Sequence, residues 1–246
     1  MENQEQIHGP EEISQLELLR DVEHVIAEAL KSLPGKNQAT PESAYLGWAA
    51  VSVHRAAEAY LYLRNSGRVA ASKLLVRPAL EATFSGKAVA DKEGFLFRKL
   101  HSELEEDNKM FRVDGLTEKE AQDALNALKA TFRLTKPGTH LDCRPLNMAE
   151  VARIAGFSAQ YDSLYRKYCK FTHGALWTVV DGLENITEEI DTPTVIWCVL
   201  VMLDLLQSQT PAEVPDLAPF WKRLSAIPKP QSSPPASIPD RELPDQ

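Results

Sequence analysis

Val195-Ile-Trp-Cys-Val-Leu-Val-Met-Leu-Asp-Leu-Leu206 is the longest apolar run in the chain, and it decides the fold. The run contains one charged residue, Asp204, and is shorter than the about 20 residues with which a helix crosses a bilayer. It follows Thr192-Pro193, a common pair at a helix start, and extends to about Gln207 without strand-like alternation. We therefore predict a helix buried among other helices, and no membrane span.

Apolar residues recur at helical spacing along most of the chain before this run. Thr40-Pro41-Glu42 is a strong start signal because it combines a capping residue, a first-turn proline and a first-turn acid. Scarce glycine and the lack of alternating stretches argue against strands. The other predicted helices span residues 11–33, 41–66, 68–91, 94–112, 117–134, 147–155, 158–173, 175–183 and 212–224. These patterns predict an all-α fold, a helical bundle.

The predicted bundle is a single domain, residues 11–226, between two irregular ends. Residues 1–10 are predicted to form a flexible leader. Residues 227–246 contain six prolines, so no packed core forms there, and we predict a disordered proline-rich tail. This tail is either a plain flexible end or a segment that binds in a partner's groove.

Charge and cysteine usage narrow the class of protein. A formal net charge of −8 argues against a surface that binds nucleic acid by broad electrostatic attraction. The stretch from Arg64 to Lys99 nevertheless carries eight basic residues, which form either a local basic face or a solvated mixed-charge surface. Cys143, Cys169 and Cys198 share no zinc-type spacing, and the first residues lack the pattern of a signal peptide. These features predict a cytoplasmic protein with reduced thiols.

Sequence motifs for a cofactor or a metal are absent. The chain lacks a glycine-rich phosphate loop, a GxSxG nucleophile turn and an HExxH helix. Its six histidines are scattered, at positions 8, 24, 54, 101, 140 and 173. We therefore predict neither a cofactor nor a metal site.

The first candidate motif is Leu74-Leu-Val-Arg77-Pro78-Ala-Leu-Glu81. Arg77 and Glu81 are four residues apart, so on a helix they pair on one face. Pro78 lies inside the helical pattern and is expected to kink it. The pair is either a partly buried structural ion pair or part of a functional site.

The second candidate motif is Tyr165-Arg166-Lys167-Tyr-Cys-Lys-Phe-Thr-His173. Arg166 and His173 are seven residues apart, and at about 100° per residue they point nearly the same way from a helix. An imidazole that moves protons beside a fixed cation suits cleavage of RNA, with Lys167 as a further phosphate contact. Alternatively, Arg166 and Lys167 are solvated, and His173 caps the helix C-terminus, where the helix dipole favours it.

Together the two motifs resemble a bacterial protein family of unknown function. That family has an Arg-x-x-x-Glu helix followed by a Tyr…Ser/Thr-x-His helix, and the matching positions here are Arg77, Glu81, Tyr165 and His173. The resemblance covers about residues 45–207. The arrangement is also similar to the HEPN group of all-helical domains, whose signature is an arginine, four to six residues and a histidine, as at Arg166 and His173. This resemblance implies metal-independent RNA cleavage in toxin–antitoxin or antiviral systems, with an active site formed across a homodimer.

The leading hypothesis is therefore a HEPN-like metal-independent endoribonuclease, with Arg166 and His173 as the catalytic residues. The predicted supporting residues are Arg77, Glu81, Tyr165 and Lys167. The expected partners are RNA, an antitoxin or regulatory protein, and a second copy of the chain. The alternative is a non-catalytic helical module that binds a partner protein or a nucleotide.

Overall fold

The structure, a computed structural model, describes residues 10–33, 39–114, 118–135, 137–138, 140–172, 184–210 and 212–228. Every regular element within these ranges is helical, so the predicted all-α bundle is confirmed. In chain order the elements are α1 (Pro10–Lys31), α2 (Pro41–Asn65), α3 (Val69–Lys73), α4 (Val76–Asp91), α5 (Phe95–Asp114), α6 (Glu118–Thr135), α7 (Met148–Ile154), α8 (Ser158–Gln160), a π-helical turn (Tyr161–Tyr165), α9 (Arg166–Thr172), α10 (Glu184–Gln209) and α11 (Ala218–Ala226).

Helices α1, α2, α4 and α10 form the core. α2 packs along α4, and α10 packs against α1, α2 and α4. The apolar run of α10 is buried as predicted, apart from the exposed Asp204 and the half-buried Trp197. A Cβ placed on Gly86 of α4 would lie 3.4 Å from Ala49 Cβ in α2 and 3.2 Å from Met202 Sδ in α10. Gly86 therefore lies where three core helices pack closely, and a large side chain there would force them apart.

The remaining helices cover this core. α3 packs against α2 and α10, and α7 packs against α4, while α5 and α6 pack on each other. α11 returns to α10 and α1, where Trp221 Nε1 donates a hydrogen bond of 3.2 Å to Asp204 Oδ2. The bundle thus has a central group of four helices, with the other described helices packed around it.

The most apolar stretch, Ile190–Gln209, is long and apolar enough to cross a membrane when judged by length and composition. However, 72% of its most apolar 18-residue window is buried inside the protein. That degree of burial is typical of a core helix, in agreement with the sequence prediction.

The helix predicted over residues 68–91 is two helices in the structure. Leu74 and Leu75 lie between α3 and α4, so the apolar pattern continues through a turn. Pro78 is the third residue of α4, where the backbone N–H needs no intrahelical acceptor. Pro78 also has no N–H to donate to the oxygen of Leu74 four residues earlier, and the helical pattern is interrupted at Leu74 and Leu75, so the distortion expected from Pro78 is present as a break one turn before it. The predicted start at Thr40 is confirmed, because Thr40 Oγ1 accepts a hydrogen bond of 3.1 Å from the Ser43 N–H.

The predicted start of the apolar helix at Thr192-Pro193 is wrong. α10 begins at Glu184, and Pro193 lies inside it. An interior proline removes one backbone hydrogen bond. Asp191, Thr192 and Val195 on either side are buried, so packing in the core offsets that loss.

The last described helix is shorter than predicted. α11 covers Ala218–Ala226 rather than residues 212–224, because Asp216 Oδ1 accepts a hydrogen bond of 3.0 Å from the Ala218 N–H at its start. The predicted helix at 175–183, the leader up to residue 9 and the tail beyond Pro228 lie outside the described residues.

A buried arginine fastens residues 140–147 to the bundle. The Arg98 side chain is 5% exposed. Its guanidinium donates to the backbone oxygens of Arg144 and Pro145, each at 2.9 Å, and to the two carboxylate oxygens of Glu150 at 2.7 and 2.9 Å. The hydrogen bond from Arg98 lowers the pKa of Glu150, although partial burial opposes the shift. This bidentate ion pair joins α5 to α7, and we call Arg98 with its four acceptors the clamp.

Candidate functional site

The second sequence motif begins at the end of a π-helical turn. Residues 161–165 form wider π-type turns, and a regular α-helix, α9, follows from Arg166 to Thr172. Short π segments inside helices occur frequently at functional sites. His173, the predicted general acid/base, lies outside the described residues.

The two candidate motifs meet at one carboxylate. The Tyr165 hydroxyl donates a hydrogen bond of 2.7 Å to Glu81 Oε1. Arg77 Nε donates a hydrogen bond of 2.9 Å to the same oxygen, so the predicted pairing across one helical turn is present. The Arg77 guanidinium also lies 5.7 Å from the centre of the Tyr165 ring, within the range of a cation–π contact. We call these three residues the Arg77–Glu81–Tyr165 network; it ties the π-helical turn that leads into α9 to α4.

The network is only partly buried. The side chains of Arg77 and Glu81 are 25% and 34% exposed, whereas Tyr165 is buried. Burial, followed by the contact with Glu81, raises the pKa of Tyr165, so its hydroxyl stays a hydrogen-bond donor at neutral pH. The ring packs on Tyr161, with centroids 5.1 Å apart. The network therefore anchors the residue directly before α9 to α4.

Replacing Tyr165 with Phe keeps the ring and removes the hydroxyl that donates to Glu81. We expect the free energy of unfolding to fall by about 1–2 kcal/mol, because the bond is made to a partly buried charged group. Urea denaturation measures the change, and Tyr62→Phe is the matched control because that ring is 68% exposed. Equal losses in the two variants would show that the Glu81 contact does not hold α9.

Arg166 is at the surface. Its side chain is 67% exposed, and within the described residues its ion-pair partner is Asp162, at 3.5 Å and itself 68% exposed. Such exposed pairs contribute little to stability. Arg166 is therefore able to turn toward a ligand at low cost.

Lys167, the next residue, has different surroundings. It is half-buried and interacts electrostatically with Asp191 and Lys73. Burial lowers the pKa of its ammonium group, and the charge of Asp191 opposes that shift. Two of the predicted supporting residues therefore interact with different parts of the bundle: Tyr165 bonds to Glu81 of α4, whereas Lys167 interacts electrostatically with Asp191 of α10.

The interior beneath α9 holds a buried polar cluster around Asp191, which is 0% exposed. Tyr168 donates a hydrogen bond to Asp191 Oδ1. Burial raises the pKa of the Asp191 carboxyl, and the Tyr168 hydrogen bond and three nearby positive charges oppose the shift. Those charges belong to residues of α2, α3 and α9, namely Arg64, Lys73 and Lys167. We call these four charged residues, with Tyr168, the Asp191 cluster.

The Asp191 cluster was not predicted from the sequence. Arg64 and Lys73 belong to the basic stretch that was expected to form a surface, yet they are 1% and 4% exposed. The only sign in the sequence that Arg64 and Lys73 are buried was their position in helical segments that contain many apolar residues. Next to the cluster, the Tyr60 hydroxyl and Thr192 Oγ1 lie 3.0 Å apart, which links α2 to α10.

An apolar groove lies on another side of the 158–172 segment. It has a volume of about 310 Å³, and its lining includes Leu164, Pro193, Trp197 and Leu224. Among the described residues no charged side chain lines it, so it is unsuited to phosphate. In the described ranges, no three His, Cys, Asp or Glu side chains lie close enough together to hold a metal ion.

The surroundings of α9 thus comprise three features of different character. These are the Arg77–Glu81–Tyr165 network, the exposed Arg166 and the buried Asp191 cluster. No protein-family model, curated protein or solved structure matches this chain.

Proposed function

We propose that the protein is a HEPN-like endoribonuclease that cleaves single-stranded RNA without a metal ion. The observation that carries this proposal is the state of Arg166, a largely exposed cation held only by a solvated pair with Asp162 in the described part of the chain. An arginine in that state is free to bind a phosphodiester bidentately. It begins α9, the helix that leads toward His173 in the sequence.

The proposed reaction is an internal transesterification of RNA. His173 takes the proton from a ribose 2′-hydroxyl, and the 2′-oxygen attacks the adjacent phosphorus. The bond from phosphorus to the 5′-oxygen breaks, and the protonated His173 gives a proton to that oxygen, leaving a 2′,3′-cyclic phosphate and a 5′-hydroxyl. Arg166 stabilises the negative charge that grows on the phosphorane oxygens.

The Arg77–Glu81–Tyr165 network has a positioning role in this proposal. Catalytic groups work only when their geometry is held closely, and a small displacement of a helix is costly to the rate. The hydrogen bonds of Tyr165 and Arg77 to Glu81 secure the residue directly before Arg166. The proposal also includes a homodimer in the cytoplasm, with an antitoxin or regulatory protein as partner.

The direct test compares wild-type protein with Arg166→Ala on single-stranded RNA in the presence of EDTA. We expect the wild type to release fragments with 2′,3′-cyclic phosphate ends, and Arg166→Ala to cleave about 10²–10³-fold more slowly. Arg153→Ala is the matched control because Arg153 is also exposed and lies on α7, away from the motif. A wild type that cleaves no RNA would overturn the proposal.

The second candidate function is a non-catalytic helical module that binds a partner protein or a nucleotide. It is favoured by the surroundings of Tyr165 and Lys167, which interact with α4 and with the interior rather than with an open groove. If this candidate is correct, His173→Ala lowers the melting temperature and no RNA is cleaved. Measuring both quantities on the same preparation separates the two candidates.

A further inference from the structure

A groove of about 490 Å³ lies on the surface where α2 packs against α5. Its lining consists, among the described residues, of Tyr45, Trp48, Leu100 and Glu103. Tyr45 and Trp48 are three residues apart on α2, and Leu100 and Glu103 are three residues apart on α5, so each helix presents its pair on one face. The groove therefore combines two aromatic rings with one carboxylate.

The aromatic wall of the groove is open to solvent. The rings of Tyr45 and Trp48 contact each other, with centroids 5.3 Å apart and planes tilted by 44°. Tyr45 is buried, but Trp48 is 55% exposed, whereas tryptophan is highly buried on average. The face of an indole ring attracts a cation that lies within about 6 Å of its centre. Trp48 is therefore available to a cation from solution.

Glu103 supplies a matching negative charge. Its side chain is 40% exposed and pairs with Lys99, one helical turn earlier, at 2.9 Å. Exposed pairs of this kind contribute little to stability, so a ligand can take the place of Lys99 at low cost. The charge of Glu103 also reaches the aromatic wall, because after burial it is the next cause that raises the pKa of Tyr45. Glu106, one turn further along α5, is exposed as well and extends the negative potential.

These features favour a guanidinium over other cations. A guanidinium is planar, stacks on an aromatic ring and donates two parallel hydrogen bonds to a carboxylate. A primary ammonium group donates hydrogen bonds but has no plane that stacks. A quaternary ammonium ion has no N–H for Glu103, and it is usually enclosed by a cage of aromatic rings rather than held by one open wall.

The exposure of the groove indicates the source of the guanidinium. Pockets for free small molecules cover most of the surface of their ligand. Here Trp48 and Glu103 are each about half exposed, so a small ligand would remain largely in water. An arginine on a partner protein is surrounded by further contacts, and arginine is enriched at protein interfaces. The formal net charge of −8 and the exposed Glu106 complement a basic partner surface.

We propose that Tyr45, Trp48 and Glu103 form a docking site for an arginine side chain on the surface of a basic partner protein. The guanidinium stacks on Trp48 and donates to Glu103 in place of Lys99. The methylene groups of the arginine pack on Leu100. The site is independent of the proposed RNA cleavage, because Arg166 and His173 are not among its residues.

The test is an NMR titration of the whole protein at low ionic strength with the peptide acetyl-Ala-Ala-Arg-Ala-Ala-amide. The signal followed is the Trp48 indole N–H, identified as the one that Trp48→Phe lacks. We expect the arginine peptide to shift this signal saturably, and the same peptide with citrulline or trimethyllysine in place of arginine to bind at least about 5-fold more weakly. Citrulline keeps the shape without the charge, and trimethyllysine keeps a charge without an N–H donor. An absent shift, or an analogue that binds as tightly as arginine, would overturn the proposal.

Free arginine tests the assignment to a partner protein. Its own carboxylate is repelled by Glu103 and Glu106, so we expect weaker binding than that of the peptide. Free arginine that binds as tightly as the peptide would identify a small-molecule site and overturn the assignment.

Two substitutions and a control locate the binding in the groove. Glu103→Gln should weaken binding of the arginine peptide about 10-fold, because it removes the charged acceptor. Lys99→Met should strengthen it about 2–5-fold, because it removes the cation that competes for Glu103. Glu58→Gln is the matched control, since Glu58 is an exposed acid of α2 that is not part of the lining. Equal effects of Glu103→Gln and Glu58→Gln would show that the peptide responds only to net charge, and the proposal would then be wrong.

Discussion

Replacing Arg98 with Met is expected to lower the free energy of unfolding by about 3–5 kcal/mol, the cost of breaking a buried ion pair by removal of one partner. The guanidinium is 5% exposed and donates to two backbone oxygens as well as to Glu150. Its loss leaves the oxygens of Arg144 and Pro145 and the Glu150 carboxylate without their donor. Urea denaturation monitored by circular dichroism measures the change.

The matched control is Arg133→Met, which removes the same charge from an exposed position on α6. We expect a change of at most about 0.5 kcal/mol for this control, as for most surface substitutions. Arg98→Lys keeps the charge but has no planar fork, so we expect it to recover only part of the stability. A loss for Arg98→Met no larger than that of the control would mean that the clamp contributes nothing.

The clamp also predicts how stability depends on pH. Because Arg98 holds the pKa of Glu150 below its unfolded value, the folded protein binds fewer protons at this site than the unfolded chain. The stabilisation is present above the unfolded pKa of about 4.3 and is lost as pH falls through the lower folded pKa. In Arg98→Met this part of the acid sensitivity should be absent.

His173→Ala is expected to lower the rate of RNA cleavage by about 10²–10⁴-fold, the usual contribution of a general acid or base. The proposed mechanism needs a proton acceptor at the 2′-hydroxyl and a donor at the leaving oxygen, and His173 is the one histidine of the motif, the residue type that exchanges protons near neutral pH. Rates are measured under single-turnover conditions on a fluorescent single-stranded RNA with EDTA. The melting temperature of the variant is measured beside them.

A catalytic role for His173 has a signature that a structural role lacks. Added imidazole should restore part of the cleavage by His173→Ala, because a small base diffuses to the same proton. His140→Ala is the matched control, since His140 is exposed and lies outside the motif. Full activity in His173→Ala, or a loss explained entirely by a lower melting temperature, contradicts the mechanism.

The helices could be predicted because their determinants are local. The apolar face of α1, the capping residue Thr40 and the apolar run in α10 each lie within a few turns of sequence. The turn between α3 and α4 could not be predicted, because Leu74 and Leu75 continue the apolar pattern across it. Pro193 suggested a helix start, because the burial that lets α10 continue through it comes from other helices.

In the candidate site, too, the local features could be predicted from the sequence and the long-range ones could not. The Arg77–Glu81 pair follows from spacing on one helix, and the structure contains it. The hydrogen bond from Tyr165 to Glu81 joins residues far apart in the chain, and only a resemblance had grouped them. Arg64, Lys73 and Asp191 are charged residues, which are usually solvated, so their burial followed from no sequence pattern.

The division of the core between the two ends of the chain has a consequence during synthesis on the ribosome. α1, α2 and α4 are complete by Asp91, but α10 begins only at Glu184, more than 90 residues later. At 5–20 residues per second the ribosome needs roughly 5–20 s to cover that distance. Throughout this interval the faces of α2 and α4 around Ala49 and Gly86 lack their third helix. We expect a nascent chain in that state to depend on chaperones, and we expect a premature stop before α10 to give a product that aggregates rather than a smaller working protein.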